Sequence, residues 1–235
     1  MGKATFVGGN LGMTAPITYI GDPVFANNDW ATIIEACQQN RVHPTWEVGD
    51  QKSMVINGTD YVIDIIGKNH DTYSEGGTAP LTFQLHNVYT GGFPMNDSSA
   101  SYWSTCVMRN TTLPNILSLM PSKVQSAIKS VSKLTNLAAY SPEIGTTEDK
   151  LFLLAEIEVF GYVTNSREGE GIQYEYYKAG NSTIKTMVTG SSGMIWWCRS
   201  PYYNGTNMFC IVNEQGSPKM NGQTSNYSIS PAFCF

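Results

Sequence analysis

The dipeptide Asn57-Gly58, set between Ser53-Met54-Val55-Ile56 and Tyr61-Val62-Ile63-Asp64-Ile65-Ile66, constrains this chain more than any other feature. Asn-Gly accepts the positive φ of a type I′ turn, and the flanking runs are rich in β-branched and aromatic side chains, so the segment reads as an antiparallel hairpin. Leu81-Thr82-Phe83-Gln84-Leu85 alternates and supplies a further strand. Strand candidates return late, at Met194–Arg199, Met208–Val212 and Ser228–Phe235, with Leu151–Leu154 inside the apolar run Lys150–Phe160. Between them helical spacing predicts Cys106–Leu119 and Ser122–Leu134. In the second of these Val124, Ala127, Ile128 and Val131 share one face, with Pro121 fitting its first turn. Residues 164–190 are polar and irregular. The expected fold class is α+β, with early and late strands pairing where the two ends of the chain approach each other.

Upstream of the hairpin, residues 1–26 are rich in Gly, Pro and small side chains and read as an extended arm. Asn28-Asp29 then caps a helix in which Trp30, Ile33, Ile34 and Cys37 fall on one face, ending near Asn40; His43-Pro44 forces an extended link. This divides the chain into an attachment or oligomerisation region, 1–45, and a main domain, 46–235.

Charged residues make up only 14% of the chain, so Ser, Thr, Asn, Gln, Gly and Tyr must supply much of the polar surface. The net charge of −5 gives no electrostatic footprint for nucleic acid or an anionic membrane. No apolar stretch is long enough for membrane insertion, and no secretory signal is visible at the start.

Catalytic and metal chemistry find little support. His43, His70 and His86 are scattered, and the neighbours His70 and Asp71 rarely face each other in a loop. Glu156, Glu158, Glu168, Glu170 and Glu175 supply carboxylates without a motif, which favours surface or hydrogen-bonding roles. Cys37, Cys106, Cys198, Cys210 and Cys234 lack zinc-ligand spacing and read as buried, reduced thiols. No calcium loop and no nucleophile motif is present. The expectation is a non-enzyme with no metal and no cofactor.

The aromatic residues carry more. Of Trp196-Trp197, one should face the core, since neighbours on a strand point to opposite sides. Tyr202, Tyr203 and Tyr227 sit instead among Asn, Gly, Ser and Thr in turn-like segments, a composition that gives rigid contact area and adaptable hydrogen bonds. The candidate ligand-binding residues are Tyr202, Tyr203, Asn204, Thr206, Asn207, Asn213, Ser225, Asn226 and Tyr227, on loops at 202–207 and 213–227. Simple packing competes with this reading.

Three segments carry a resemblance: Trp196-Trp197-Cys198-Arg199-Ser200-Pro201, Phe209-Cys210-Ile211-Val212-Asn213 and Ser230-Pro231-Ala232-Phe233-Cys234-Phe235. They resemble a bacterial and prophage domain family with a WW-x-RSP core. Trp46–Asp50, Ile65–Asp71, Asp149–Leu154 and Gly169–Gly171 match it further, so the resemblance spans roughly 28–235. The C-terminal layout is also similar to the C-type-lectin-like fold of formylglycine-generating enzymes and of the variable proteins of diversity-generating retroelements. That likeness implies a C-type-lectin-like domain displaying residues of the kind adenine-directed mutagenesis varies. Glu214, Gln215, Lys219, Met220 and Gln223 depart from that palette. It implies a phage or prophage surface protein on the virion, receptor-binding or adhesin-like, that binds a host cell-surface protein or glycan. Residues 1–45 would meet other virion proteins, in a homo-oligomer such as a homotrimer. The alternative is a decoration or head-fibre protein without a specific ligand. The enzyme arm of that fold needs a reactive cysteine pair, for which Cys198, Cys210 and Cys234 give no specific match.

Overall fold

The computed structural model describes residues 18–138 and 140–235; the arm at 1–26 therefore falls largely outside the described residues. The first regular helix, α1, is Trp30–Gln38, and the Asp29 side chain caps it by accepting the Thr32 N–H at 2.8 Å. Its buried side chains, Ile33, Ile34, Ala36 and Cys37, belong to the same core as the strands that follow. The boundary drawn at residue 45 thus does not separate two cores.

The hairpin forms as expected. Strands β1 (Gln51–Ile56) and β2 (Thr59–Lys68) pair antiparallel with Ile56 opposite Thr59, and Asn57 and Gly58 take φ of 48° and 78°. β3 (Leu81–Leu85) adds on the far side of β2, where a register shift lies between Ile65 and Gly67. A strand not anticipated from the sequence, β4 (Tyr89–Phe93), follows. Met108–Thr112 winds as a π turn into α2 (Leu113–Ser118), so helix does occupy the region expected of it.

The second predicted helix is shorter than its spacing suggested. α3 spans only Ser122–Ala127, with Pro121 at its N-cap, and Ile128 is already extended. From there β5 (Val131–Asn136) buries Val131, Lys133 and Thr135 in alternation and pairs with β6 (Ile144–Asp149). The apparent helical face through Val131 was a coincidence of spacing. The strand period was hidden because one of its inward positions is a lysine.

Leu151–Leu154 is fully buried but forms no ladder. It runs as a bridge between two sheets: Phe152 exchanges backbone bonds with Ala232, and the Leu154 carbonyl accepts the Arg199 N–H at 2.9 Å. Short α4 (Glu156–Phe160) and α5 (Glu175–Lys178) precede β7 (Lys185–Thr186) and β8 (Gly193–Met194). Then come β9 (Trp196–Pro201), β10 (Met208–Val212), β11 (Pro218–Gly222), β12 (Tyr227–Ile229) and β13 (Ala232–Cys234). The segment 213–227, expected as one long loop, therefore contains a strand.

The strands assemble into a four-stranded sheet, β1-β2-β3-β13, a five-stranded sheet, β11-β10-β9-β12-β4, and two small ladders. Late strands do pair with early ones: β13 on β3 and β12 on β4. The chain is α+β. Every residue of β9 is buried, because it lies inside its sheet and both of its faces are covered. Both tryptophans are consequently interior, against the expectation of one. Trp196 donates its indole N–H to the Thr183 carbonyl at 3.0 Å, and Trp197 donates to the Phe93 carbonyl at 2.8 Å. All five cysteines are buried and free. No helix among the described residues is long and apolar enough to cross a membrane.

Candidate functional site

A charge sits in the middle of this interior. Arg199 follows Trp196, Trp197 and Cys198 on β9 and is wholly buried, a position that is costly unless the guanidinium is matched completely. It is matched. Its terminal nitrogens donate to both carboxylate oxygens of Glu158, one at 2.9 Å, and to the carbonyls of Leu153, Leu134 and Glu170. Glu158 also takes Lys133 at 2.8 Å and the Ala155 N–H at 2.9 Å. Lys133 continues to Asp71 at 2.7 Å and Tyr174 at 3.0 Å, and Tyr174 donates to Asp71 at 2.8 Å. Burial alone would raise the Asp71 carboxyl. The charge and hydrogen bond of Lys133, with hydrogen bonds from Thr82 and Tyr174, outweigh it and bring the group down to about 2. Burial likewise opposes the charge on Glu158, and Arg199 and Lys133 overcome it. Glu170 differs: burial dominates and raises its carboxyl, and its Oε2 has no partner.

This network supports the far end of β9. Glu156, also fully buried, accepts the backbone N–H groups of Thr164, Asn165 and Ser166 and the Ser166 hydroxyl. One interior carboxylate thus clamps a surface loop. The loop holds the turn that follows β9, since Tyr203 donates its N–H to the Asn165 carbonyl at 3.0 Å. The neighbouring Tyr140 donates its N–H to the Tyr203 carbonyl at 3.1 Å and reaches the Asn204 carbonyl with its hydroxyl. Tyr140 has φ of 63°, a left-handed conformation that costs a non-glycine residue energy and persists only when its surroundings impose it. The Tyr202 and Tyr203 rings pack edge to face with centroids 5.0 Å apart, and the Arg167 guanidinium lies 5.8 Å from the Tyr203 ring. Tyr140 is 65% exposed and Tyr203 40%. The result is an aromatic platform with one cation at its side, mounted on a loop with a buried anchor.

The predicted binding residues divide between this platform and other places. Tyr202, Tyr203 and Asn204 belong to the platform, and Thr206 and Asn207 close the same β9–β10 turn, where the Thr206 hydroxyl meets the Asn207 side chain. Asn213 lies at the opposite end of β10, and its side chain accepts the Gln215 and Ser217 N–H groups, which occupies it in holding a turn. Ser225 contacts the Asn221 side chain. Asn226 and Tyr227 line a groove of about 500 Å³ between β4, β12 and β8, with Tyr89, Met187, Met194 and Glu214. Gly92 keeps that groove open next to Asn226, whose Cβ would lie 3.2 Å from a Cβ placed on it. Tyr227 also packs on Trp197, at 5.1 Å between centroids. Sequence reasoning missed Tyr140 and Arg167, and gave Glu156 only a general surface or hydrogen-bonding role. Only for Glu156 was there a usable signal, a carboxylate at the end of an apolar run.

His70 and His86 pair with carboxylates other than the neighbour considered from the sequence, His86 with Asp64 at 2.9 Å. His70 and Asp71 do not meet: His70 faces Glu175, and Asp71 turns inward to Lys133. Among the described residues no three His, Cys, Asp or Glu side chains gather as a metal site. Burial pushes the thiols of Cys37, Cys198, Cys210 and Cys234 above their ordinary range, away from the reactive thiolate.

No curated protein and no solved structure matches the chain. The profile of one protein family, a domain of unknown function (DUF6273), matches residues 85–235, from the end of β3 through the platform, the whole five-stranded sheet and β13. That is well over half of the sequence, and it places the chain in the DUF6273 family.

Proposed function

We propose that this protein is a C-type-lectin-like binding module of a phage or prophage particle, and that its ligand surface is the tyrosine platform of Tyr140, Tyr202, Tyr203 and Asn204. The observation that carries the reading is the backbone anchoring of exposed aromatics. Tyr203 and Tyr140 are tied by backbone bonds to each other and to a loop that Glu156 clamps from inside. Exposed tyrosines held in one geometry lose little conformational freedom on binding, so their contact area converts efficiently into affinity. Arg167 beside Tyr203 adds a planar donor of the kind that marks interface hot spots. The pairing of β13 with β3 suits a C-type-lectin-like reading, in which late strands close the domain onto early ones. The target is a host cell-surface protein or glycan. Weak single sites would gain from many copies on one particle.

Immobilised glycans and host envelope proteins, probed with the purified chain and with the Tyr140→Ala/Tyr203→Ala double variant, test this. The expected result is binding by the parent that falls at least tenfold in the variant at unchanged melting temperature. Equal binding by both would remove the platform from the function. Diversification by a retroelement is tested separately, by sequencing codons 198–229 across isolates: adenine-directed variation beside a template repeat supports it, and invariance removes it. A decoration protein without a ligand would show no binding in the first assay and invariance in the second.

A further inference from the structure

A second cleft, of about 500 Å³, opens beside His70, away from the platform. Asp71, Lys133 and Glu158 lie along it, with Leu134 and Ile172 as aliphatic walls. His70 is held there by design of the backbone. Its ring stacks on Tyr174 with centroids 3.9 Å apart and planes 19° from parallel, its side chain is 4% exposed, and Nδ1 faces the Glu175 carboxylate at 3.3 Å. Gly67 sits at the register shift in β2 where these three side chains converge. A Cβ on it would lie 2.9 Å from His70 Cβ and 3.0 Å from both Glu175 Oε2 and Tyr174 Cδ1. A bulge and a missing side chain together make the room.

The remaining ring nitrogen, Nε2, bonds to no described residue. A carboxylate at Nδ1 favours the tautomer with its proton there, which leaves Nε2 as an acceptor. The charges along the cleft are otherwise spent. Asp71 and Glu158 are matched by Lys133 and Arg199, and each of these groups has its hydrogen-bonding positions filled. An ionic ligand would find no free countercharge here and would have to break the network to bind. The unused groups are hydroxyls on Thr72, Ser132 and Thr146, each able to donate or accept. We propose that this cleft binds an uncharged polyhydroxylated ligand, a sugar residue, with a ligand hydroxyl donating to His70 Nε2 and the aliphatic walls covering a ring face. The site goes beyond the platform and does not depend on it.

Nitrogen-15 NMR of the whole chain with millimolar D-glucose, D-galactose, N-acetyl-D-glucosamine or L-fucose tests the assignment. We expect at least one sugar to shift the His70 imidazole nitrogens and the amides of residues 169–172 saturably. His70→Phe keeps a ring against Tyr174 but removes the acceptor, and should weaken that binding at least tenfold. Tyr203→Ala should leave it unchanged. A trisaccharide ending in the active sugar separates sources: retention marks a glycan terminus, and loss marks a free sugar. No shift with any of the four sugars overturns the proposal, as does undiminished binding by His70→Phe. Loss of binding in Tyr203→Ala with retention in His70→Phe would overturn it too, and would move the sugar to the platform.

Discussion

The charged interior and the tyrosine platform use similar chemistry to opposite ends. In the interior, Arg199, Glu158, Lys133, Asp71 and Tyr174 spend their hydrogen-bonding capacity on one another and on backbone carbonyls. On the platform, Tyr140 and Tyr203 are fixed mainly through their backbone groups and leave much of their ring surface in solvent. The difference teaches that a saturated polar group is committed to the fold, whereas fixed geometry with unspent surface is what the proposed binding role requires.

The comparison can be broken most severely at Arg199. Replacement by Met leaves Glu158 buried without its principal countercharge, a loss of about 3–5 kcal/mol for a broken buried pair. Chemical denaturation of Arg199→Met should show a midpoint collapse or no folded baseline. A variant of parental stability would mean that the network is dispensable.

Acid should dissect the same network more gently. The Asp71 carboxyl is lowered from 3.8 to about 2 by folding, so its contribution is fully present above pH 3.8 and is lost as pH falls through 2. That difference corresponds to about 2 kcal/mol. Unfolding free energies measured from pH 5 to 2 should therefore fall by about that amount more in the parent than in Asp71→Asn. Parallel curves would dissociate Asp71 from the acid limb.

Glu170 should behave in the reverse sense. Its carboxyl is raised by burial, so folding favours the protonated form and stability declines as pH rises above the unfolded value of 4.5. Glu170→Gln should be neutral at low pH and equal to the parent or more stable at pH 7. Marked destabilisation at pH 7 would show that the ionised form is needed.

The smallest stability effect belongs to the platform. Tyr203→Ala, at a site 40% exposed, should change the unfolding free energy by less than about 0.5 kcal/mol. Its effect should appear in binding alone, and a loss above 2 kcal/mol would reclassify Tyr203 as structural.

How much of this could be read from the residues depends on where the organising signal lies. The β1–β2 hairpin was legible because Asn57-Gly58 specifies its turn locally, and α1 because Asp29 and an apolar stripe do the same. β5 was hidden because its inward Lys133 is stabilised by Asp71 and Glu158, distant in sequence. β11, with the residues Pro-Lys-Met-Asn-Gly, is an edge strand formed by backbone pairing with β10, and its side chains give no alternation to detect. Tyr202, Tyr203 and Asn204 of the platform were legible, from the tyrosines in a polar turn. Tyr140 and Arg167 reach it only through tertiary contacts. The buried Arg199 was the strongest missed clue, since a lone cation between tryptophans and an apolar strand requires a carboxylate, and Glu158 was available.

The pairing of β13 with β3 has a consequence for synthesis. During translation β1, β2 and β3 emerge early, but β3 keeps one side unpaired until residues 232–234 leave the ribosome. Until then the hairpin sheet offers an open edge to any neighbouring nascent chain. In a polysome making many copies, residues 232–234 of one chain match the β3 edge of the next, so strand exchange between copies is the error this pairing invites.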